Sequence, residues 1–174
     1  MRHPLIVLIA GVLLLAGCVT TSGHPPRVIQ DFDRGWRFRL GDAPGAMQPA
    51  YPDSGWQRVT LPHDWSIEGP FSEDAPATAQ EGALPTGIGW YRKRFTLAAA
   101  WKDKNIYLDF GGVYRDSKVW INGHLLGRFW EIGPQESEFV PAAWLKSGRN
   151  AVVVFDMMTP ATFTLSGVTR PLWK

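Results

Sequence analysis

Lys118-Val119-Trp120-Ile121-Asn122-Gly123-His124-Leu125-Leu126 is the stretch that decides the fold class of this chain. Its first half is rich in β-branched and aromatic residues, which pack well on a pleated surface. Asn122-Gly123 then supplies two neighbouring positions that tolerate positive φ, as the two-residue turns matching strand twist require. Leu125 and Leu126 begin a return strand, so the stretch reads as a β-hairpin.

The same pattern extends in both directions. Gly35-Trp36-Arg37-Phe38-Arg39-Leu40 alternates apolar and charged residues with period two, as a strand with one buried face does. Trp90 to Leu97 predicts another strand, with Tyr91, Phe95 and Leu97 inward. Arg92 and Arg94 fall between them on what reads as a wet face, where ion pairing across the sheet is expected. Asn105 to Phe110 predicts a third. Asn150 to Asp156 carries Val152, Val153, Val154 and Phe155, the composition of a central strand hidden on both sides. Thr162 to Ser166 is read as the last strand. Trp36, Trp90 and Trp120 fall on strands and are expected in the core. Helical periodicity is absent apart from one turn at Ala142 to Lys146. The expected fold is all-β, a sandwich or barrel.

Composition agrees. With 174 residues the chain has a one-domain length, and 9 Trp, 18 Gly and 14 Pro suit short strands joined by many turns. The formal charge is +2 with no run of Lys or Arg, which argues against a nucleic-acid partner. Hydrophobic residues at 45% and charged residues at 20% disfavour both disorder and a multi-span membrane protein.

The N-terminus reads as an address. Arg2 precedes an apolar run from Leu5 to Ala16, closed by Leu15-Ala16-Gly17-Cys18. A helix of that run spans about 18 Å, too short for a hydrocarbon core of roughly 30 Å. The segment resembles a bacterial lipoprotein signal peptide, which implies cleavage before Cys18 and lipidation of its sulfur. An ordinary secretory signal is the alternative. The expected organisation is a signal peptide over 1–17, a lipidated Cys18 with a polar spacer over 18–27, and one β-sandwich over 28–174. Cys18 is the sole cysteine, so no intramolecular disulfide is available. The expected location is the bacterial cell envelope, and Val19 resembles the pattern of outer-membrane sorting.

Two connections are long. Gly41 to Gly55 is one and Pro62 to Gly89 the other, and loops of that length in sandwiches commonly carry binding surfaces. The second begins Leu61-Pro62-His63-Asp64-Trp65-Ser66-Ile67-Glu68-Gly69-Pro70-Phe71 and ends Leu84-Pro85-Thr86-Gly87-Ile88-Gly89-Trp90-Tyr91-Arg92-Lys93. These two runs, with Val119-Trp120-Ile121-Asn122-Gly123-His124, resemble the N-terminal sugar-binding domain of glycoside hydrolase family 2, the β-galactosidases, β-glucuronidases and β-mannosidases. Leu126-Gly127-Arg128-Phe129-Trp130-Glu131-Ile132-Gly133-Pro134-Gln135 and Val140-Pro141-Ala142-Ala143-Trp144-Leu145-Lys146 are more similar to the galactose-binding-like domain of family 35 β-galactosidases. Both resemblances imply a galactose-binding-domain-like jelly-roll β-sandwich.

They also imply a carbohydrate ligand. Trp130 and Glu131 follow a strand in a turn closed by Gly133-Pro134. An aromatic face stacks on the C–H face of a sugar and a carboxylate accepts from vicinal hydroxyls. A core-capping Trp130 with a solvated Glu131 is the alternative. Asp64, with His63 as a second donor, is a candidate for a hydroxyl pair and Trp65 a candidate sugar contact beside them, set against a turn-capping Asp64 and a packing Trp65. Glu81 completes the candidate sugar-binding set. No catalytic residue is assigned. The hydrolases of both families carry their two catalytic glutamates on a separate barrel of about 250 residues, and a single sandwich does not supply one. Among the four histidines no metal-binding spacing occurs. No cofactor is expected, although the resemblance allows a structural calcium.

The functional expectation is a non-catalytic module recognising β-galactoside-type sugars at the cell envelope, held to a membrane by its lipid. Two alternatives stand beside it. One is an accessory or remnant domain acting with a separate glycosidase chain, and the other a structural envelope lipoprotein without sugar binding.

Overall fold

The hairpin forms where its sequence places it, with Asn122 at φ 52 and Gly123 at φ 87. It joins two of the strands in a computed structural model that describes residues 27–68, 85, 87–101, 104–114, 116–129, 136–156 and 158–169. In chain order these strands are β1 (Val28–Asp31), β2 (Trp36–Leu40), β3 (Gln57–Val59), β4 (Gly89–Thr96), β5 (Lys104–Tyr114), β6 (Ser117–Ile121), β7 (His124–Phe129), β8 (Glu136–Val140), β9 (Arg149–Asp156) and β10 (Met158–Thr169). Short 3-10 turns occupy Trp65–Ile67, Ala99–Trp101 and Ala142–Trp144. Every strand pairing is antiparallel.

Two sheets result. One has the order β1-β10-β5-β8 and the other β3-β2-β4-β9-β6-β7. Their facing sides enclose Trp36, Phe38, Tyr91, Ile106, Leu108, Phe110, Val119, Ile121, Val140, Val152 and Val154, all buried. Period-two alternation places these residues inward, and their packing holds the sandwich together. The all-β sandwich expected from the hairpin is the fold observed.

The larger sheet has a second buried face. Ala43, Ala46, Trp56, Trp90 and Val153 form a separate apolar cluster, with Met47, Tyr51, Ile88 and Trp120 packed against it. Residues 41–56 therefore fold over the outside of the sheet. Trp90 and Trp120 stack there at 5.9 Å. β9 lies between β4 and β6, and Ala151, Val152, Val153 and Val154 are all buried. Its unbroken apolar run is thus explained by cover on both sides.

This cover corrects the reading of Arg92 as an exposed residue on a wet face. Its side chain is 1% exposed, and its Nε donates to Asp53 Oδ2 at 3.1 Å. The remaining guanidinium N–H groups donate to the carbonyls of Ala46, Gln48 and Pro49. Burial lowers the Arg92 pKa from its ordinary value, and the hydrogen bond and charge of Asp53 oppose that shift. Arg94 is more open and bonds to the other oxygen of Asp53 at 3.2 Å and to Tyr51 O at 2.8 Å. The partner of both arginines is the loop, not a neighbouring strand. Lys93 belongs to the inner side, where its ammonium sits 4.0 Å from the Phe32 ring centroid and donates to Phe32 O and Arg34 O. Desolvation lowers its pKa, with Asp31 and Asp33 opposing.

Asn122 does more than turn the chain. Its Nδ2 donates to Trp144 O at 2.6 Å and Asn150 Oδ1 at 2.8 Å, and its Oδ1 accepts from Ala151 N. The hairpin tip is thereby tied to the 142–144 turn and to the start of β9.

Candidate functional site

The chain leaves β3 through a cis Leu61–Pro62 bond and enters the short turn at Trp65–Ile67. Asp64 caps that turn: its Oδ1 accepts from Ser66 N at 3.0 Å and from Ser66 Oγ at 2.5 Å. Short acidic side chains favour this position because they satisfy backbone donors that the turn leaves open. Trp65 is 5% exposed and belongs to the inner core. Sequence-predicted Asp64 and Trp65 are thus committed to holding the turn in place.

His63 is placed differently. Its Nδ1 lies 2.9 Å from the hydroxyl of buried Tyr91 and its Nε2 lies 2.9 Å from Glu68 Oε1. The Tyr91 hydroxyl also donates to His63 O at 3.3 Å, so His63 is held to the core through both its ring and its backbone. The His63 side chain is only 10% exposed, and its ring packs 4.9 Å from that of Phe38. The result is a chain of hydrogen bonds from the core to Glu68, whose side chain is 47% exposed.

Glu68 stands on the wall of an open groove of about 660 Å³. Trp56, Trp65 and Phe38 contribute to its floor, and Arg39, Leu40 and Gln57 line it from β2 and β3. This is a volume suited to one or two sugar rings. The tryptophans are 6% and 5% exposed, so they offer little stacking area. The groove's polar rim is its more accessible part, and there Glu68 Oε2 is an acceptor without a hydrogen-bond partner among the described residues. Glu68 was not singled out from sequence, because a glutamate in a loop gives no sign that a histidine five residues earlier will orient it. Trp130, Glu131, Glu81 and Cys18 lie outside the described residues. Those residues contain no group of three or more His, Cys, Asp or Glu able to hold a metal ion.

Residues 88–150, which run from the end of the long loop through β4 to β8 and into β9, match the family described as β-galactosidase, galactose-binding domain. Over that stretch the chain is similar to the galactose-binding domains of β-galactosidases. A β-galactosidase of Bacteroides ovatus is 47% identical to it over 113 residues, which is 65% of this chain and 13% of the enzyme. A putative β-glucuronidase of Formosa agariphila is 34% identical over 146 residues, 84% of this chain and 14% of that protein. Among solved structures, a β-glycosidase from Bacteroides vulgatus superimposes with a TM-score of 0.71 at 35% identity, covering 80% of this chain and 20% of that one. The chain carrying this galactose-binding-type domain therefore spans about a seventh of the length of the curated relatives it matches.

Proposed function

We propose that this domain is a carbohydrate-binding module without catalysis of its own, which captures β-galactoside-type sugars in the groove beside Glu68. The observation that carries the reading is the Tyr91–His63–Glu68 chain, which fixes a carboxylate over a sugar-sized groove. A carboxylate held by one oxygen keeps the other for a pair of hydroxyls, and preorganisation lowers the entropic cost of binding. A glycan array on the purified protein, scored for galactose-terminated ligands, tests it directly. Binding is expected, and Glu68→Gln is expected to weaken it about tenfold, as loss of one charge-assisted hydrogen bond does. Empty spots throughout, or a Glu68→Gln variant of unchanged affinity, overturn the groove as the site. Trp130→Ala, with Glu131→Gln and Glu81→Gln, tests the remaining candidates in the same assay.

A second reading is an accessory role beside a glycosidase barrel. Phe139, 47% exposed, packs on Tyr107 at 5.6 Å on the outer face of the smaller sheet. Exposed aromatic pairs of this kind suit protein docking. Co-purification with a glycosidase chain that Phe139→Ser abolishes would favour this role. Attachment to the envelope through lipidated Cys18 belongs to the same proposal. It predicts that Cys18→Ser moves the protein from the membrane fraction to the soluble one.

A further inference from the structure

We infer that a second site, on the outer face of the larger sheet, binds the carboxylate or sulfate group of an acidic saccharide. The register of β4 against β9 sets Arg92 opposite Val153, Arg94 opposite Ala151 and Thr96 opposite Arg149. Cross-strand partners share a face and side chains alternate along a strand, so Arg92, Arg94 and Arg149 form one row on the face that residues 41–56 partly cover. Arg92 is held under the loop, while Arg94 and Arg149 line a pocket of about 310 Å³ with Pro49, Asn122 and Ala151. That volume takes a monosaccharide.

Charge decides what the pocket takes. Within the row a single carboxylate, Asp53, serves two guanidiniums, bonding Arg92 through one oxygen and Arg94 through the other. Arg149 is exposed and has no acidic partner among the described residues. Three positive charges against one negative charge leave a surplus beside a partly dry surface, where an arriving anion is less screened than in open solvent. Guanidinium forks match planar carboxylates and tetrahedral sulfates through paired N–H donors. The amide N–H groups of Asn122 are already spent on Trp144 O and Asn150 Oδ1, so the pocket presents arginine donors to its ligand.

This site is separate from the groove beside Glu68. The two share no lining residue, although both border the 41–56 loop. The inference does not depend on the groove reading. Isothermal titration of the purified protein at low salt with galacturonic acid, galactose 6-sulfate, neutral galactose and inorganic sulfate tests it. One or both acidic sugars are expected to bind more tightly than galactose and than inorganic sulfate, and which of them binds identifies the oxyanion. Arg149→Gln is expected to lower that affinity about tenfold or more, with Arg149→Lys intermediate and the exposed, distant Arg58→Gln unchanged. Equal affinity for acidic and neutral sugars overturns the inference. So does inorganic sulfate binding as well as the sugars, which would make this an adventitious ion site only, or an Arg149→Gln variant indistinguishable from the parent. Neutral galactose binding sensitive to Glu68→Gln reports on the groove alone, so either site can fail without the other.

Discussion

The two faces of the larger sheet are both buried, by different means. The inner face meets a second sheet, and its aromatic and aliphatic side chains interlock over the length of the strands. The outer face meets a loop of some fifteen residues that packs Ala43, Ala46, Met47, Tyr51 and Trp56 in a smaller apolar cluster, and it also holds that loop through Arg92 and Asp53. Loops carry many backbone carbonyls that a sheet would pair within its own ladder, and the Arg92 guanidinium takes up those of Ala46, Gln48 and Pro49. A cover built this way concentrates much of its hold in Asp53 and its arginines beside a small apolar cluster, whereas an interlocked core distributes its stability over many contacts.

The largest expected effect is at that pair. Asp53→Ala should cost about 3–5 kcal/mol, because it leaves a desolvated guanidinium without its counter-charge. Urea unfolding measures the loss, and a cost under about 1 kcal/mol would mean that the outer cover is wetter than its geometry indicates. Next come two adjacent residues of β9. Val152 faces the inner core and Val153 the outer cluster, at 0% and 1% exposure. Each Val→Ala change should cost about 2 kcal/mol from lost burial and the cavity left behind. If only Val152→Ala destabilises, the loop is a loose flap and the two faces are not equivalent.

Asn122→Ala should cost about 1–2 kcal/mol, since it places alanine at positive φ and removes three hydrogen bonds between the hairpin, the 142–144 turn and β9. Thermal denaturation checks it, and Asn122→Gly should recover part of the loss by removing the backbone penalty alone. The smallest effect is expected at Asp64. Asp64→Ala should lower stability by about 1 kcal/mol through loss of the turn cap. It should leave sugar affinity within about twofold in a titration, because Asp64 directs its carboxylate to Ser66. A tenfold loss of affinity at unchanged stability would return Asp64 to the binding site.

Much of the sandwich was readable in advance because strand formation is a local matter. Alternation at Trp36 to Leu40 and the Asn122-Gly123 pair act within a few residues, and both appear where their sequences place them. The short strands β3 and β8 were not read, since three to five residues carry too little periodicity to separate a strand from a loop. The site was less legible. His63 and Asp64 are neighbours with the same apparent chemistry, yet one orients Glu68 and the other caps a turn. That division follows from where Tyr91, nearly thirty residues away, places its hydroxyl.

By itself the sequence determined the hairpin, the all-β class, the apolar character of β9 and the resemblance to sugar-binding domains of β-galactosidases. Each follows from side-chain shape or backbone preference acting over short range. Tertiary structure alone decided that Arg92 is buried, that Glu68 holds a carboxylate over the groove, and that Arg94 and Arg149 share a pocket. Those outcomes depend on which residues a distant loop or strand covers, because desolvation and charge pairing are set by three-dimensional neighbours and not by order along the chain.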